Sequence, residues 1–284
     1  MAASSNKPIQ YEDRYCLFLD ILGFKEVVEQ SAQPKTTALM GSKRIHPGGI
    51  YFSLKQIART LNYRASLASV TGRSKRSSRV MTQFSDSVVV SYRAGEEGGL
   101  ATMLYDVLHL QLALVQRGLL IRGAITRGLL HHDSDFVFGP ALNEAVELEK
   151  VAMYPRVIVD RDLLTAAGIS TAQIVKSGES ALRTTASLVA QDLDGLFYVD
   201  YFAVRPEDFS DEWSALCEYL IGLREVIKGL AAKRQPSLRM KHSWLRQKFN
   251  QIAEPLEKSK FTSLGTYRVP ADEEDHILNI VPFR

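Results

Sequence analysis

This sequence contains few cysteines and no long apolar run. Only two of its 284 residues are cysteines, Cys16 and Cys217, which lie far apart and beside neither a CxxC pair nor a histidine cluster. This usage argues against a disulfide framework or a zinc site and is typical of a reducing compartment. No run approaches the ~18 apolar residues that span a bilayer, and residues 1–10 lack the apolar core of a signal peptide. We therefore expect a cytoplasmic protein that does not contact a membrane.

A large excess of charge of one sign is also missing. The formal net charge is +3 and the sequence pI is about 8.7, which is only mildly basic. This balance fits a small anionic ligand better than a nucleic-acid groove, so we expect no nucleic-acid partner. With 45% hydrophobic residues the chain can bury a substantial core, in one large domain or two small ones.

One apolar stretch of strand length carries a single acidic side chain. Residues 16–24 (CLFLDILGF) contain Asp20, followed three positions later by Gly23 after an apolar step. A buried strand holds an unpaired charge only at high cost, so we expect Asp20 at the C-terminal end of the strand, where a cation or a donor can meet it. Gly23 allows a tight turn that brings backbone N–H groups close to a ligand.

A second stretch repeats this pattern. Residues 84–90 (FSDSVVV) place Asp86 next to a β-branched run, and residues 80–84 and 88–92 are expected to form a hairpin bent around it. Two carboxylates at strand ends are the minimum needed to hold divalent metal ions on a polyphosphate. This interpretation depends on whether the two strands lie side by side.

The order of the predicted elements divides the chain into parts. Residues 1–13 are expected to be a flexible lead-in, residues 14–205 a domain rich in strands and helices, and residues 206–284 a helical extension with many lysines and arginines. Apolar spacing predicts helices over residues 50–61, 99–117, 141–152, 211–233 and 238–257.

Two conspicuous polar segments are interpreted first as solvated surface. Residues 71–79 form a basic, serine-rich loop, which is either a solvated hairpin end or a source of positive charge for a triphosphate. His131 and His132 belong to a turn predicted over residues 131–135. Adjacent side chains on an extended chain point to opposite faces, so a metal-ligand pair is disfavoured there.

Taken in order, four motifs resemble those of the catalytic domain of class III nucleotide cyclases, over roughly residues 14–202. The matching stretches are residues 18–24 (FLDILGF), 84–88 (FSDSV), 120–125 (LIRGAI) and 138–145 (FGPALNEA). The resemblance implies a ferredoxin-like α/β domain with a mixed, mainly antiparallel sheet flanked by helices. It also implies a head-to-tail homodimer with active sites at the subunit interface.

The same resemblance implies a two-metal site. Asp20, Asp86 and the carbonyl of Ile21 would bind two Mg2+ or Mn2+ ions, one favouring the 3′-hydroxyl as nucleophile and the other binding the triphosphate. Pyrophosphate would leave and a 3′,5′-cyclic nucleotide would form, a reaction that depends mainly on charge stabilisation and in-line geometry. Gly23 and Phe24 would present backbone N–H groups to the phosphates.

One catalytic position departs from the class. Asn143 would come from the partner subunit and orient the ribose. The arginine that class III enzymes place four residues later, to steady the transition state, is Glu147 here. Arg122, Arg127 or a basic residue of segment 73–79 would have to replace it, and Arg122 is the first candidate.

The base-contacting positions also depart from purine-specific enzymes of this class. Those enzymes carry a lysine or glutamate four residues before the second metal aspartate, and an aspartate, threonine or cysteine three residues before the glycine of the asparagine motif. Here these positions are Thr82 and Phe136, so the site is not expected to select purines. Tyr51 is a candidate for stacking on a small base, with a place in the core as the open alternative.

Together with residues 154–160 (YPRVIVD), this pattern resembles the pyrimidine cyclases of bacterial anti-phage Pycsar systems. We therefore expect conversion of UTP or CTP, with UTP favoured, into a cyclic nucleotide that signals to a separately encoded effector protein. Two alternatives stay open. One is a degenerate cyclase-like domain that senses nucleotides without turnover, as Glu147 suggests, and the other is a purine cyclase with unusual base contacts.

Overall fold

The computed structural model describes residues 9–32, 39–40, 43–44, 47–70, 77–178, 184–210, 212–265, 267–270 and 277–284. Most of the basic loop predicted over residues 71–79, and most of the predicted lead-in, lie outside the described residues. Among the described helices, none is long and apolar enough to cross a membrane.

Strands and helices alternate through the first two thirds of the chain, and long helices dominate the rest. In chain order the elements are β1 (Glu12–Ile21), α1 (Phe24–Ser31), β2 (Leu39–Met40), β3 (Lys43–Arg44), α2 (Pro47–Val70), β4 (Val80–Phe84), β5 (Ser87–Arg93), α3 (Gly99–Val115), β6 (Ile121–His132), β7 (Val137–Phe138), α4 (Pro140–Val151), β8 (Val157–Val159), α5 (Arg161–Ala166), α6 (Thr171–Gly178), β9 (Val189–Gln191), β10 (Phe197–Val199), α7 (Trp213–Ala231), α8 (Pro236–Lys258), β11 (Ser263–Leu264) and β12 (Tyr267–Arg268).

The large sheet has the strand order β4-β5-β1-β6-β8-β10-β9, and β7 pairs with the end of β6. Neighbours on this path are antiparallel, except that β6 and β8 are parallel. The long strands β1, β4, β5 and β6 are numbered in chain order but lie side by side in the order β4-β5-β1-β6. This is the strand order of a ferredoxin-like β-α-β-β-α-β arrangement. The predicted fold class, a mixed and mainly antiparallel sheet flanked by helices, is confirmed.

Strand β1 occupies the centre of this sheet, between β5 and β6. Its apolar run is almost continuously buried, as a central strand requires. The strand begins at Glu12, before the predicted run, because Glu12 pairs in register with Leu130 and its carboxylate binds Arg93 at 2.7 Å. The prediction of a flexible lead-in over residues 1–13 is therefore wrong for Glu12 and Asp13.

The two faces of the sheet are covered by different helices. The face that carries Leu17 and Leu19 packs on α3, which is apolar around most of its circumference because it lies between the sheet and α7. The face that carries Cys16 and Ala124 is covered by α4 through small side chains. Because side chains alternate along a strand, Asp20 belongs to this second face.

Helices α7 and α8 extend the hydrophobic core on the sheet face that carries Leu17 and Leu19. Leu216 and Phe249 belong to the same hydrophobic cluster as Leu17. Trp244 of α8 stacks on Tyr154, with ring centroids 5.2 Å apart and planes 4° from parallel. The described part of residues 206–284 thus shares a core with the domain predicted over residues 14–205, and the division of the chain near residue 205 stays a prediction.

Strand β6 continues further than the sequence indicated. His131 and His132 pair with Phe138 and Val137 of β7, so the ladder extends to the end of β6. His132 is only 7% exposed. The interpretation of both histidines as part of a solvated turn is therefore wrong, because the short strand β7 supplies the pairing partner that keeps them in the sheet.

Gly123 lies where β6 passes too close to β1 for any side chain. A Cβ added there would be 2.2 Å from the Phe18 carbonyl oxygen and 2.9 Å from Leu19 Cδ2. We expect Gly123→Ala to lower the free energy of unfolding by about 1–3 kcal/mol or more, as measured by urea denaturation. Gly95→Ala is the matched control, because no described atom lies within 4 Å of its added Cβ, and equal losses in the two variants would contradict the prediction.

Candidate active site

The two predicted metal aspartates meet at one edge of the sheet. Asp20 is the penultimate residue of β1, and Asp86 lies in the two-residue turn of the β4–β5 hairpin. Strands β1 and β5 pair in register as far as Leu19 and Val88, which brings Asp20 to that turn. Asp86 acts on Asp20 both through its charge and through a side-chain hydrogen bond. The two strands are neighbours, and the predicted hairpin around Asp86 is confirmed.

Burial and mutual repulsion disfavour the charged form of Asp20. The pKa of this carboxyl is raised to about 6, mainly by loss of solvent and then by the charge and hydrogen bond of Asp86. The Arg122 guanidinium opposes this rise, whereas Glu149 adds to it. A bound cation would relieve the repulsion between the two carboxylates.

Arg122 lies directly opposite Asp20, on β6. Its Nη2 atom is 3.6 Å from Asp20 Oδ2, and its Nε atom forms a close ion pair with Glu149. Glu149 comes from the last turn of α4 and is only 5% exposed. The guanidinium is therefore shared between two carboxylates and held beside the aspartate pair of its own chain.

The turn after β1 has the backbone conformation that the sequence suggested. Gly23 has φ 75° and ψ 14°, in the left-handed region, and it is the N-cap of α1. It has no side chain with which to cap the N–H groups of the first helical turn, where Phe24 is the first residue. Such N–H groups, at the positive end of the helix dipole, are suited to phosphate oxygens.

A cavity of about 860 Å3 opens beside Gly23, between α1, the segment that precedes β6, and helices α7 and α8. Lys241 of α8 and Glu26 of α1 line it. Lys241 is half-buried, and its ammonium group interacts with the charges of Arg122 and Asp20. The helical extension, to which the sequence assigned no role, therefore contributes a cation to the candidate site. The volume is typical of small-molecule sites.

Asn143 is not brought to the aspartate pair within one chain. Ala141, Ala145 and Glu149 recur every four residues on α4 and face the sheet, whereas Asn143 and Glu147 are exposed. Asn143 is also about 9 Å along the helix axis from Glu149, at the 1.5 Å rise of an α-helix. A role for Asn143 at this site requires a second copy of the chain.

Thr82 and Phe136, two of the predicted base-contacting residues, belong to one region. Thr82 lies on β4 in register with Val89 and therefore shares the sheet face of Asp20. Its hydroxyl is 3.1 Å from His132 Nε2. This contact joins β4 to the β6–β7 hairpin, whose loop carries Phe136 with its ring 68% exposed.

Tyr51 lies on α2. It is 57% exposed, edge-on to Phe52 at 5.8 Å and beneath the Lys55 ammonium group at 5.5 Å. The alternative that placed Tyr51 in the core is therefore wrong. Its stacking on a base stays a prediction.

The residues present fit the predicted divalent cations. Within the described ranges, no group of three or more histidine, cysteine, aspartate or glutamate side chains is placed to hold a metal ion. The predicted ligand set consists of Asp20, Asp86 and the Ile21 carbonyl, which are hard oxygen donors suited to Mg2+ or Mn2+. Phosphate oxygens and water commonly complete such a shell, so two carboxylates are sufficient.

No protein-family model matches the sequence, and no curated protein is detectably similar to it. Among solved structures, the adenylyl cyclase CyaB from P. aeruginosa matches with a TM-score of 0.38 and 16% identity, covering 56% of this chain and 82% of that chain. A bacterial light-regulated adenylyl cyclase matches with a TM-score of 0.36 and 16% identity, covering 56% and 81%. The catalytic core of a rhodopsin-guanylyl cyclase with converted specificity, in complex with ATPαS, matches with a TM-score of 0.36 and 14% identity, covering 55% and 80%. With scores and identities this low, these similarities assign neither a family nor an activity to this chain.

Proposed function

We propose that this protein is a nucleotide cyclase that converts a pyrimidine nucleoside triphosphate, UTP in preference to CTP, into the 3′,5′-cyclic nucleotide and pyrophosphate. The observation that supports it most is the meeting of Asp20 and Asp86 at the end of the central strand, with Arg122 beside them. Phosphoryl transfer needs ligands for divalent cations and fixed positive charge for phosphate oxygens. These three side chains supply both.

In this mechanism the chain positions the substrate and balances its charge. Asp20, Asp86 and the Ile21 carbonyl would hold two divalent cations, which would neutralise triphosphate charge and favour ionisation of the 3′-hydroxyl. The backbone N–H groups at Gly23 and Phe24 bind phosphate oxygens. The 3′-oxygen attacks the α-phosphorus in line, the bond from that phosphorus to the pyrophosphate oxygen breaks, and the 3′-hydroxyl proton passes to solvent.

The choice of a pyrimidine rests on Thr82 and Phe136. Together they offer one hydroxyl and one exposed ring face, which suits a small base with one polar contact and one stacking surface. A purine-specific site uses more hydrogen bonds, and it rejects bases that leave them unpaired. We extend the proposal to a second messenger in anti-phage defence, read by a separate effector, on the basis of the resemblance to Pycsar cyclases.

Incubation with each of ATP, GTP, CTP and UTP in the presence of Mn2+ tests this function. We expect pyrophosphate release and a cyclic product, identified by mass spectrometry, from UTP and to a smaller extent from CTP. Turnover of ATP at an equal rate would overturn the pyrimidine assignment and favour a purine cyclase. The absence of product from all four nucleotides would overturn the enzyme assignment.

A nucleotide sensor without turnover is the second candidate function. Glu147 stands where an arginine is expected, and its carboxylate is exposed and paired with Lys150 at 2.6 Å. This position therefore offers no positive charge to a transition state. Tight binding of a triphosphate in calorimetry, with no pyrophosphate released, would favour this function over the cyclase.

Lys241 provides a prediction about substrate binding. Because Lys241 lines the cavity beside Gly23, we expect its ammonium group to contact triphosphate oxygens. Loss of a charge-assisted hydrogen bond of about 1.5–3 kcal/mol should make Lys241→Met raise KM for the nucleotide roughly 10–100-fold. Arg239→Met removes a positive charge from an exposed position on the same helix that does not line this cavity. A similar rise in KM for Arg239→Met would attribute the effect to overall charge instead.

A further inference from the structure

A chain of hydrogen bonds crosses the sheet and ends at Thr82. Arg14 Nε donates to Ser91 Oγ at 2.9 Å, Ser91 Oγ lies 2.8 Å from His132 Nδ1, and His132 Nε2 lies 3.1 Å from Thr82 Oγ1. These four residues come from β1, β5, β6 and β4. Arg14, Ser91 and His132 are buried, whereas Thr82 is half-buried.

The direction of these hydrogen bonds is determined at the buried end. A guanidinium only donates, so Ser91 Oγ accepts from Arg14. Ser91 is completely buried, and within the described residues His132 Nδ1 is the other partner of its hydroxyl. The Ser91 proton must therefore be donated to Nδ1, because the opposite direction would leave it buried and unpaired. A neutral His132 then carries its proton on Nε2 and donates it to Thr82 Oγ1.

The surroundings of His132 keep its ring neutral. Burial is the main cause of a pKa lowered to about 4, and the charges of Arg14 and His131 lower it further, against the opposing carboxylate of Asp133. The single-proton tautomer described above therefore holds at neutral pH.

Thr82 Oγ1 accepts from His132, so its own proton is left to point away from the network. His132 is its hydrogen-bond partner in the described chain, and its side chain is on the sheet face of Asp20. A ligand group that accepts would pair with this proton. A ligand group that donates would require the oxygen to accept a second hydrogen bond while its proton stayed unpaired.

We propose that Arg14, Ser91 and His132 hold the Thr82 hydroxyl as a hydrogen-bond donor toward the base, so that the site selects uracil over cytosine. The two bases differ at position 4, where uracil has an accepting carbonyl oxygen and cytosine a donating amino group. Thr82 contacts the base, and the other three are positioning residues. The proposal rests on the proposed function, because it takes Thr82 to be part of the nucleotide site.

Paired substitutions at Thr82 test the proposal by kinetics. We expect wild-type kcat/KM to be about tenfold or more higher for UTP than for CTP, as one well-placed hydrogen bond allows. Thr82→Val keeps the shape but lacks the hydroxyl, and it should lose this preference through a fall in the value for UTP. Thr82→Ser should retain the preference. A preference that survives in Thr82→Val would overturn the proposal.

Ser91→Ala tests the direction of the network. Without the Ser91 hydroxyl, His132 can carry its proton on Nδ1 and accept a hydrogen bond from Thr82 at Nε2. The Thr82 hydroxyl then has only its oxygen left for the base, toward which it acts as an acceptor. We expect the UTP:CTP ratio of kcat/KM to fall in this variant. If it does not fold, the Thr82 pair and the tautomer measurement still decide.

The tautomer of His132 can be measured without any activity. Histidine 13C and 15N chemical shifts distinguish the two neutral forms, and the signal is assigned through its loss in His132→Gln. We expect the Nε2–H form in the wild type and a shift toward the Nδ1–H form in Ser91→Ala. A wild-type ring protonated on Nδ1 would overturn the proposal.

The same proteins separate failure of this proposal from failure of the cyclase function. UTP-selective binding in calorimetry, lost in Thr82→Val and without turnover of any nucleotide, would overturn the cyclase function and support the network. Turnover of pyrimidine triphosphates with equal kcat/KM for UTP and CTP would overturn the network and leave the cyclase function standing.

Discussion

Asp20→Asn and Asp86→Asn are each expected to lower kcat by about 10³-fold while leaving the fold intact. Each substitution keeps the size of the side chain but removes the negative charge that a divalent cation requires. Because Asp20 and Asp86 repel each other in the folded chain, removing one charge should not lower the midpoint of thermal unfolding. Product formation and the unfolding midpoint are measured on the same preparations.

Metal binding gives this prediction a second readout. Mn2+ should raise the unfolding midpoint of the wild type, since a ligand that binds only the folded state stabilises it. The increase should be absent or small in Asp20→Asn and Asp86→Asn. Asp13→Asn is the control, because Asp13 lies on the same strand, exposed and paired with Arg127 at 2.8 Å. Full activity in both site variants would rule out the two-metal mechanism.

The central strand and the hairpin were predictable because local sequence determines them. Residues 16–21 are apolar except at Asp20, which only a central strand with one functional end accommodates. The β-branched run after Asp86 requires a strand, and a two-residue turn joins it to β4. The pairing of β1 with β5 was expected only through the resemblance, since a strand pattern does not name its neighbour.

Glu149 and Lys241 show what the sequence pattern could not provide. Glu149 lies four residues beyond the stretch 138–145 that carried the resemblance, yet its partner Arg122 is known only once α4 packs across β6. Lys241 lies in a basic helix that carries no recognisable motif, so the sequence does not show which of its several cationic side chains faces the site and which face solvent. Its position depends on how α7 and α8 pack on the core, which is a property of tertiary contacts rather than of local sequence.

The prediction of a solvated turn at His132 was wrong for a related reason. Its burial depends on β7, a strand of two residues that is too short to show an alternating pattern. The network through Ser91 and Arg14 joins residues on four strands, and no spacing along the chain reveals it.

Two inactive variants are expected to restore each other's activity when mixed. If Asn143 acts across a subunit interface, Asp20→Asn and Asn143→Ala damage opposite halves of the same site. A mixed dimer then combines both defects in one site and has an intact second site. Random re-pairing makes about half of the dimers mixed, each with one intact site of two, so about a quarter of wild-type activity should return.

The matched control is a mixture of Asp20→Asn with Asp86→Asn. Both substitutions damage the same half of the site, so every dimer in this mixture lacks an intact aspartate pair and no activity should return. Rates of cyclic nucleotide formation are measured after co-incubation and compared with each variant alone. Because Asn143 is exposed on the side of α4 that faces away from the sheet, recovery would mean that it reaches the aspartates of another copy. Full activity of Asn143→Ala alone, or no recovery in the first mixture, would contradict a site shared between two subunits.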